Sequence, residues 1–159
     1  MGPEGDLAAT RLARGVRCFV VWVDDAIAGY GWLSVGPEWI GEIQLEIRPG
    51  RGEGYVWNCV TVAEFRRRGV FRSLLLGISD HARRLGLRRL WIGSIAIPAE
   101  KALGPAGFKP AVYSMIQSVA GLHVAMVRGS GDRSLAADAR AILGAGAGVR
   151  AWRSHPRRH

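Results

Sequence analysis

A mixed α+β fold is predicted by two changes of hydrophobic period along the 159 residues. Up to residue 62 the apolar residues fall in short β-branched and aromatic runs separated by turn signals. From Phe71 they recur at helical spacing, and at 88–95 an extended apolar run returns. A strand–helix–strand step among otherwise successive strands implies one parallel pair inside a mostly antiparallel sheet.

The first strands are 18–23 (CFVVWV) and 28–34 (AGYGWLS), joined as a hairpin by the turn signal Asp24-Asp25. Residues 42–48 alternate, with Ile43, Leu45 and Ile47 set against Glu42, Gln44, Glu46 and Arg48, the period of a strand with one buried face. Residues 49–54 (PGRGEG) read as a loop and 55–62 (YVWNCVTV) as the next strand, which completes a four-stranded antiparallel meander. In the helix that follows, Phe71, Leu74, Leu75, Ile78, Ala82 and Leu85 share one face, and Gly86 stands where a terminating glycine belongs. After the strand 88–95, Pro98 suits the first turn of a short helix reaching Ala106, ended by Gly107. Two last strands, 111–119 and 122–128, flank a turn at Ala120-Gly121. Beyond Gly129 the composition changes. Residues 133–143 suit a helix, whereas GAGAG and the Arg-rich end suit a flexible tail. The expected organisation is one domain over 1–128 followed by a basic tail, 129–159.

Composition narrows the function. A chain of this length buries a core without disulfides or metals, and its 48% hydrophobic and 22% charged residues are those of a globular protein. No apolar run reaches the ~20 residues of a membrane helix. The first residues lack the apolar stretch of a secretory signal. Two cysteines, Cys18 and Cys59, make neither a disulfide framework nor a paired metal site. The expectation is a cytoplasmic protein with no metal and no membrane partner. The net charge of +9 suits a polyanionic ligand. Part of that charge lies in the tail, where 129–159 holds six Arg and two Asp.

The segment most informative about chemistry is EFRRRGVFRSLL, residues 64–75, between a strand and a helix. A helix start offers unsatisfied backbone N–H groups and the positive end of the helix dipole, so it attracts anions. Gly69 permits a turn or a close ligand approach that a side chain would obstruct. Arg66, Arg67, Arg68 and Arg72 add charge able to pair with phosphates. Together these features fit a diphosphate.

This segment resembles the acyl-CoA signature of the GNAT superfamily, Gln/Arg-x-x-Gly-x-Gly/Ala between a strand and a helix. Arg66 and Gly69 match it, Phe71 stands where Gly or Ala is preferred, and Arg67 stands where Gly is frequent. A second stretch, 95–108, is similar to the family element Asn-x-Pro-Ser-x-Arg-Ala-Leu-x-x-Ala-Gly-Phe. Pro98, Lys101 (for Arg), Ala102, Leu103, Ala106, Gly107 and Phe108 fit it, while Ala96 and Ala99 replace its Asn and Ser. The resemblance spans about residues 18–128. It implies a GNAT-like twisted sheet, mostly antiparallel, with a V-shaped split between two parallel central strands, here 55–62 and 88–95. It implies acetyl-CoA as co-substrate, its pantetheine arm pairing with backbone groups of Val60 and Val62 like an added strand, with Thr61 between them in the coenzyme site. The pyrophosphate would sit on residues 67–72, from Arg67 and Arg68 through Gly69, Val70 and Phe71 to Arg72, with the Ser73 hydroxyl adding to the grip. Family members carry one or two helices before the first hairpin, and with about 17 residues there this part is shortened.

The implied reaction is direct attack of a primary amine on the thioester, which needs a base for the ammonium and an acid or oxyanion donor for the leaving thiolate. Many relatives use a Tyr where this chain has Leu103, so that role does not carry over. Substitutes are Glu46 on the polar face of its strand, Asn58 beside the cleft, and Tyr113 after the Gly107-Phe108 turn. Cys59 reads as a small buried hydrophobe and His81 as an exposed helix residue. The acceptor is expected to be a small molecule or peptide amine, one bearing a carboxylate or phosphate rather than a polycation, because a net-positive domain opposes cations. Either the acceptor side is unusually open, a second subunit in a homodimer or the C-terminal tail closes it, or the chain is a shortened member with weak activity. The alternative is a non-catalytic chain of the same fold acting as a basic nucleic-acid-binding or scaffolding module. Nucleic acid is the weaker reading, since no helix-turn-helix, zinc finger or aromatic RNA-binding signature occurs.

Overall fold

A computed structural model describes residues 3–95 and 97–153 of the chain. In chain order the elements are α1 (Pro3–Ala13), β1 (Arg17–Val23), β2 (Ala26–Ser34), β3 (Glu38–Ile40), β4 (Leu45–Ile47), β5 (Glu53–Thr61), α2 (Val70–Arg84), β6 (Arg89–Ile92), α3 (Ile97–Leu103), β7 (Val112–Val119), β8 (Leu122–Gly129), α4 (Arg133–Ile142) and β9 (Val149–Arg153). Short 3-10 turns at Ala63–Phe65 and Gly104–Ala106 precede α2 and follow α3. The fold class is the mixed α+β one expected, with an antiparallel sheet that contains one parallel pair. The chain falls into two compact units, Met1–Gly36 with Pro49–Phe108, and Pro37–Arg48 with Lys109–His159.

The first unit is built on a four-stranded sheet of order β1-β2-β5-β6, antiparallel except for β5 and β6. Helix α2 covers one face. Leu74 and Leu75, with Ile78 one turn on, pack with Leu33 and Val56 of the sheet and with Ala106. Two sheet glycines let the helix come close. A Cβ on Gly29 would stand 2.9 Å from Val70 Cγ1, and one on Gly31 3.1 Å from Leu74 Cδ2. The helix ends as its glycine foretells. Gly86 has φ +72°, its N–H bonds Arg83 O at 2.9 Å, and Leu87 N–H bonds Ala82 O at 3.0 Å, a Schellman closure. The N-terminal stretch forms the single 11-residue helix α1.

At the closed end of the parallel pair, Glu53 of β5 is 4% exposed and gathers donors from β6, the residue before it and the preceding loop. Its carboxylate accepts from Trp91 Nε1 at 2.9 Å, Gly50 N at 3.1 Å, Arg88 Nη2 at 3.2 Å and Arg89 Nη1 at 3.4 Å.

The second unit holds the hairpin β3-β4 and the sheet β7-β8-β9 with α4. Two expectations are corrected in it. Residues 42–48 are not one strand, for Gly41–Gln44 is turn, Gln44 has φ +48°, and only Leu45–Ile47 is extended. That segment pairs with β3 in a separate two-stranded sheet, so the meander of the first unit has three strands rather than four. The 44-turn breaks the alternation because a positive φ reverses the chain where the side-chain pattern alone suggests continuation.

The stretch after residue 143, expected to be flexible, is ordered through residue 153. Val149–Arg153 pairs antiparallel with β8, from Met126↔Val149 to Leu122↔Arg153, and Gly148 O accepts from Val127 N at 2.7 Å. Helix α4 is capped by Asp132, whose carboxylate accepts from Leu135 N at 2.9 Å. The basic end, 154–159, lies outside the described residues, as does Ala96 of the second motif.

Candidate active site

Strand β5 is bonded differently on its two edges. Toward β2 the ladder runs from Ser34↔Tyr55 to Tyr30↔Val60 and Gly29↔Thr61. Toward β6 it runs only from Glu53↔Arg89 to Val56↔Ile92. Beyond Val56 no strand among the described residues pairs with the β6-facing edge of β5, and the sheet splits. A strand edge without a partner presents N–H and C=O groups to whatever extended ligand enters.

A bulge lies at the start of the split. Trp32 faces Trp57 and Tyr30 faces Val60, so Asn58 and Cys59 together oppose Gly31. Asn58 takes φ +45°, a region that Asn enters more readily than most residues. The extra residue bends β5 where β6 leaves it. Gly31 is needed opposite, because a Cβ there would stand 2.8 Å from Cys59 Sγ. The sequence carries the ingredients, an Asn inside an apolar strand and two glycines in its neighbour, but periodicity does not disclose a bulge.

The bulge also decides which backbone groups face the opening. Val62 N–H bonds Ala28 O at 2.9 Å, and Val62 O accepts from Phe65 N at 3.0 Å. Alternation then turns the amide and carbonyl of Val60 toward β2 and those of Thr61 toward the split, so the backbone groups of Val60 and Val62, expected to face the opening, do not.

Downstream of Thr61 the chain turns through Ala63–Phe65 into Arg66–Gly69 and enters α2. Gly69 is the N-cap, with φ +79°, no side-chain cap, and no protein atom within 4 Å of where a Cβ would stand. Arg67 is also left-handed, at φ +64°. The first helical bond runs from Ser73 N to Gly69 O at 2.9 Å, so the preceding amides of Val70, Phe71 and Arg72 have no acceptor within the helix. Val70 and Phe65, buried with Ala28, hold this helix start against the sheet. Arg66, Arg67, Arg68, Arg72 and Ser73 are exposed around it, Arg68 lying 5.7 Å above the Phe65 ring. The split and the helix start adjoin because β5 runs directly from one to the other.

Cys59 lies in the open stretch. Burial pushes its thiol up to about 12, so it is a neutral thiol at physiological pH. Leu103 packs against the core of the first unit. Of the three candidates for the chemistry, Asn58 stands at the split, whereas Glu46 and Tyr113 belong to the second unit. Glu46 is ion-paired with Arg48 at 2.5 Å, and Tyr113, on β7, is exposed. His81, read as exposed, sits on α2 with its ring edge-on to Phe19 at 5.2 Å and bonded to Arg17. Among the described residues no three His, Cys, Asp or Glu side chains gather as a metal site, and no helix is long and apolar enough to cross a membrane.

Residues 3–104 match the family model described as acetyltransferase (GNAT) family. No curated protein sequence matches the chain. Solved structures of the same fold include the aminoglycoside N-acetyltransferase AAC(6')-Iy in complex with CoA, 15% identical, TM-score 0.55, covering 74% of this chain and 88% of that one. A putative acetyltransferase from Agrobacterium tumefaciens str. C58 is 17% identical, TM-score 0.55, covering 75% and 79%. A ribosomal-protein-alanine N-acetyltransferase from Brucella melitensis biovar Abortus 2308 is 17% identical, TM-score 0.53, covering 74% and 80%.

Proposed function

The chain belongs to the acetyltransferase (GNAT) family, and from that premise we propose that it transfers an acetyl group from acetyl-CoA to a primary amine by direct attack. The observation that carries this reading is the one-sided loss of pairing along β5, bonded to β2 through Thr61 but to β6 only through Val56. The diphosphate sits on the amides of the α2 start around Gly69, with Ser73 and the surrounding Arg66, Arg67, Arg68 and Arg72 adding donors. The pantetheine arm runs back along the open edge of β5 and pairs with the backbone of Thr61, flanked by Val60 and Val62. The thioester then arrives at Trp57 and Asn58, where the parallel ladder closes.

The amine lone pair attacks the thioester carbonyl, the C–S bond breaks, and the nitrogen loses a proton as the coenzyme leaves as thiol. The neutral Cys59 supports direct transfer over an acetyl-cysteine intermediate, because the thiolate is the nucleophilic form. The net charge of +9 favours encounter with the polyanionic coenzyme.

Calorimetric titration with acetyl-CoA tests the coenzyme half of this reading, and release of free thiol with an amine panel tests the transfer. Saturable one-to-one binding is expected. No binding at millimolar acetyl-CoA overturns it.

A further inference from the structure

The sheet of the first unit is buried on one face under α2, and its other face carries an apolar row that the coenzyme reading leaves unexplained. Phe19 and Val21 of β1 pack with Leu33 and Val56 against the core under α2, so alternation puts Val20 and Trp22 on the opposite face. Strand pairing carries that face inward. Val20 faces Tyr30 of β2, Tyr30 faces Val60 of β5, and Trp22 faces Ile27. Trp22 is 60% exposed and Val20 37%, while Ile27, Tyr30 and Val60 are half-buried. None of these five residues is charged. Helix α1 lies over the neighbouring row instead, where the Arg11 guanidinium carbon is 4.6 Å from the Trp57 ring centroid and 5.1 Å from that of Trp32.

Single exposed apolar side chains are ordinary on a protein surface, but a contiguous row across three strands marks a place where something binds. Where the row leads says what that is. Its inner end, Val60, is the residue before Thr61, whose backbone faces the split. On the α2 side the same stretch is filled, since Leu74 is buried there with Cys59 and Leu103 packed against the core. A molecule that meets the thioester at the split therefore comes from the face that Val20 and Trp22 share. From Val60 across Tyr30 to Val20 is two strand spacings, about 10 Å, which a ring on a tether of a few carbons spans.

We infer that Val20, Trp22 and the ring of Tyr30 form the acceptor's binding surface, and that the acceptor is a primary amine carrying an apolar ring on a short tether. The inference rests on the acetyl-transfer reading above, which brings the thioester to Trp57 and Asn58. The ring lies against the Trp22 and Tyr30 side chains, whose aromatic faces and edges suit it, and the amine extends toward the split. Net charge governs encounter, whereas this row, which holds no cation for a carboxylate or phosphate, selects what stays bound.

The experiment uses the full chain and acceptors matched in the amine. Propylamine is compared with phenylpropylamine, whose terminal ring is too far from nitrogen to change its basicity much. Beta-alanine and spermidine serve as anionic and polycationic comparisons. Thiol release gives kcat and KM for each, and calorimetry gives acetyl-CoA affinity separately. For the wild type, kcat/KM is at least tenfold higher for phenylpropylamine than for propylamine or either charged amine. Trp22→Ser, at an exposed position, lowers kcat/KM for phenylpropylamine at least tenfold more than for propylamine, chiefly through KM, with acetyl-CoA affinity within about twofold. Val20→Thr, nearly the same shape, lowers it severalfold and stands in if Trp22→Ser fails to fold; the wild-type comparison needs no variant. Light scattering gives the same mass for the wild type and Trp22→Ser. Equal kcat/KM with and without the ring, a preference for either charged amine, or Trp22→Ser affecting both matched amines alike overturns the inference. So does a dimer that Trp22→Ser dissociates, which would put a second copy on the row, and so does acetyl-CoA binding without turnover of phenylpropylamine. Failure of acetyl-CoA to bind at all overturns the acetyl-transfer reading instead.

Discussion

Val56 of β5 faces Ile92 of β6 as the last pair of the parallel ladder, and two residues further on Asn58 takes φ +45° to bulge the same strand against β2. End of pairing and bulge are two sides of one deformation. The extra residue bends β5, and the bend carries its remaining length away from β6. Asn58→Gly, which suits a positive φ, is expected to keep acetyl-CoA affinity within about threefold. Asn58→Val, β-branched in a left-handed position, is expected to cost about 1–3 kcal/mol of stability and at least tenfold in affinity. Chemical denaturation and calorimetry on both variants check this, and equal affinities for the two would separate the bulge from the coenzyme site.

Gly69 offers a sharper division between folding and binding. No protein atom lies within 4 Å of its absent Cβ, so a substitution there strains only the backbone, at φ +79°. Gly69→Val is expected to cost about 1–3 kcal/mol of stability and to lower acetyl-CoA affinity far more than the melting shift accounts for. Gly69→Asn, which tolerates a left-handed φ, keeps most of the stability and still loses affinity. Unchanged affinity in folded Gly69→Val would move the anion site elsewhere.

Arg67 carries the opposite expectation. It holds φ +64° with a side chain, so Arg67→Gly relieves backbone strain while adding chain entropy to the unfolded state. The balance is expected to leave stability level or raised by up to about 1 kcal/mol. Affinity for acetyl-CoA falls less than in Gly69→Val, because the backbone donors survive. A thermal melt and one titration settle both parts.

The Cys59 thiol links stability to alkaline pH. Its folded value, raised from 9.0 to about 12 by burial, exceeds that of the unfolded chain. The neutral thiol therefore contributes stability fully below pH 9, and between pH 9 and 12 the unfolded state ionises first. This group then removes about 1.4 kcal/mol per pH unit across that window. Cys59→Ala is expected to flatten the fall measured by urea denaturation at several pH values, and to retain acetyl transfer. Loss of transfer in a folded Cys59→Ala protein would argue for a covalent role.

Glu53 fastens the closed end of the split. Trp91 and Gly50 share one carboxylate oxygen and the two arginines the other, so Glu53→Gln can keep the first two bonds but turns an NH2 donor toward Arg88 and Arg89. The two arginines are partly solvated, so the loss is expected below the ~3–5 kcal/mol of a fully buried broken pair, at about 2 kcal/mol. The midpoint of urea denaturation reads it directly, and a change under about 0.5 kcal/mol would make the cluster incidental.

Sequence alone determined those parts whose causes are local to the chain. Leu74, Leu75, Ile78 and Ala82 define the buried face of α2 by their spacing, Gly86 ends it, and Gly69 stands at its start, since caps and periods need only near neighbours. The step from β5 through α2 to β6 likewise implied a parallel pair from order alone. Tertiary structure decided where that pair stops, that Asn58 and Cys59 together oppose Gly31, that 42–48 is half turn, and that 149–153 joins β8. It also decided that Arg11, forty-six residues from Trp57 in sequence, lies across its ring. Each of these depends on what a distant strand or helix offers at one place, whether a hydrogen-bond partner, the space left by an absent Cβ, or an aromatic face. Periodicity records which side of a segment is buried, and partners in space determine what it is buried against.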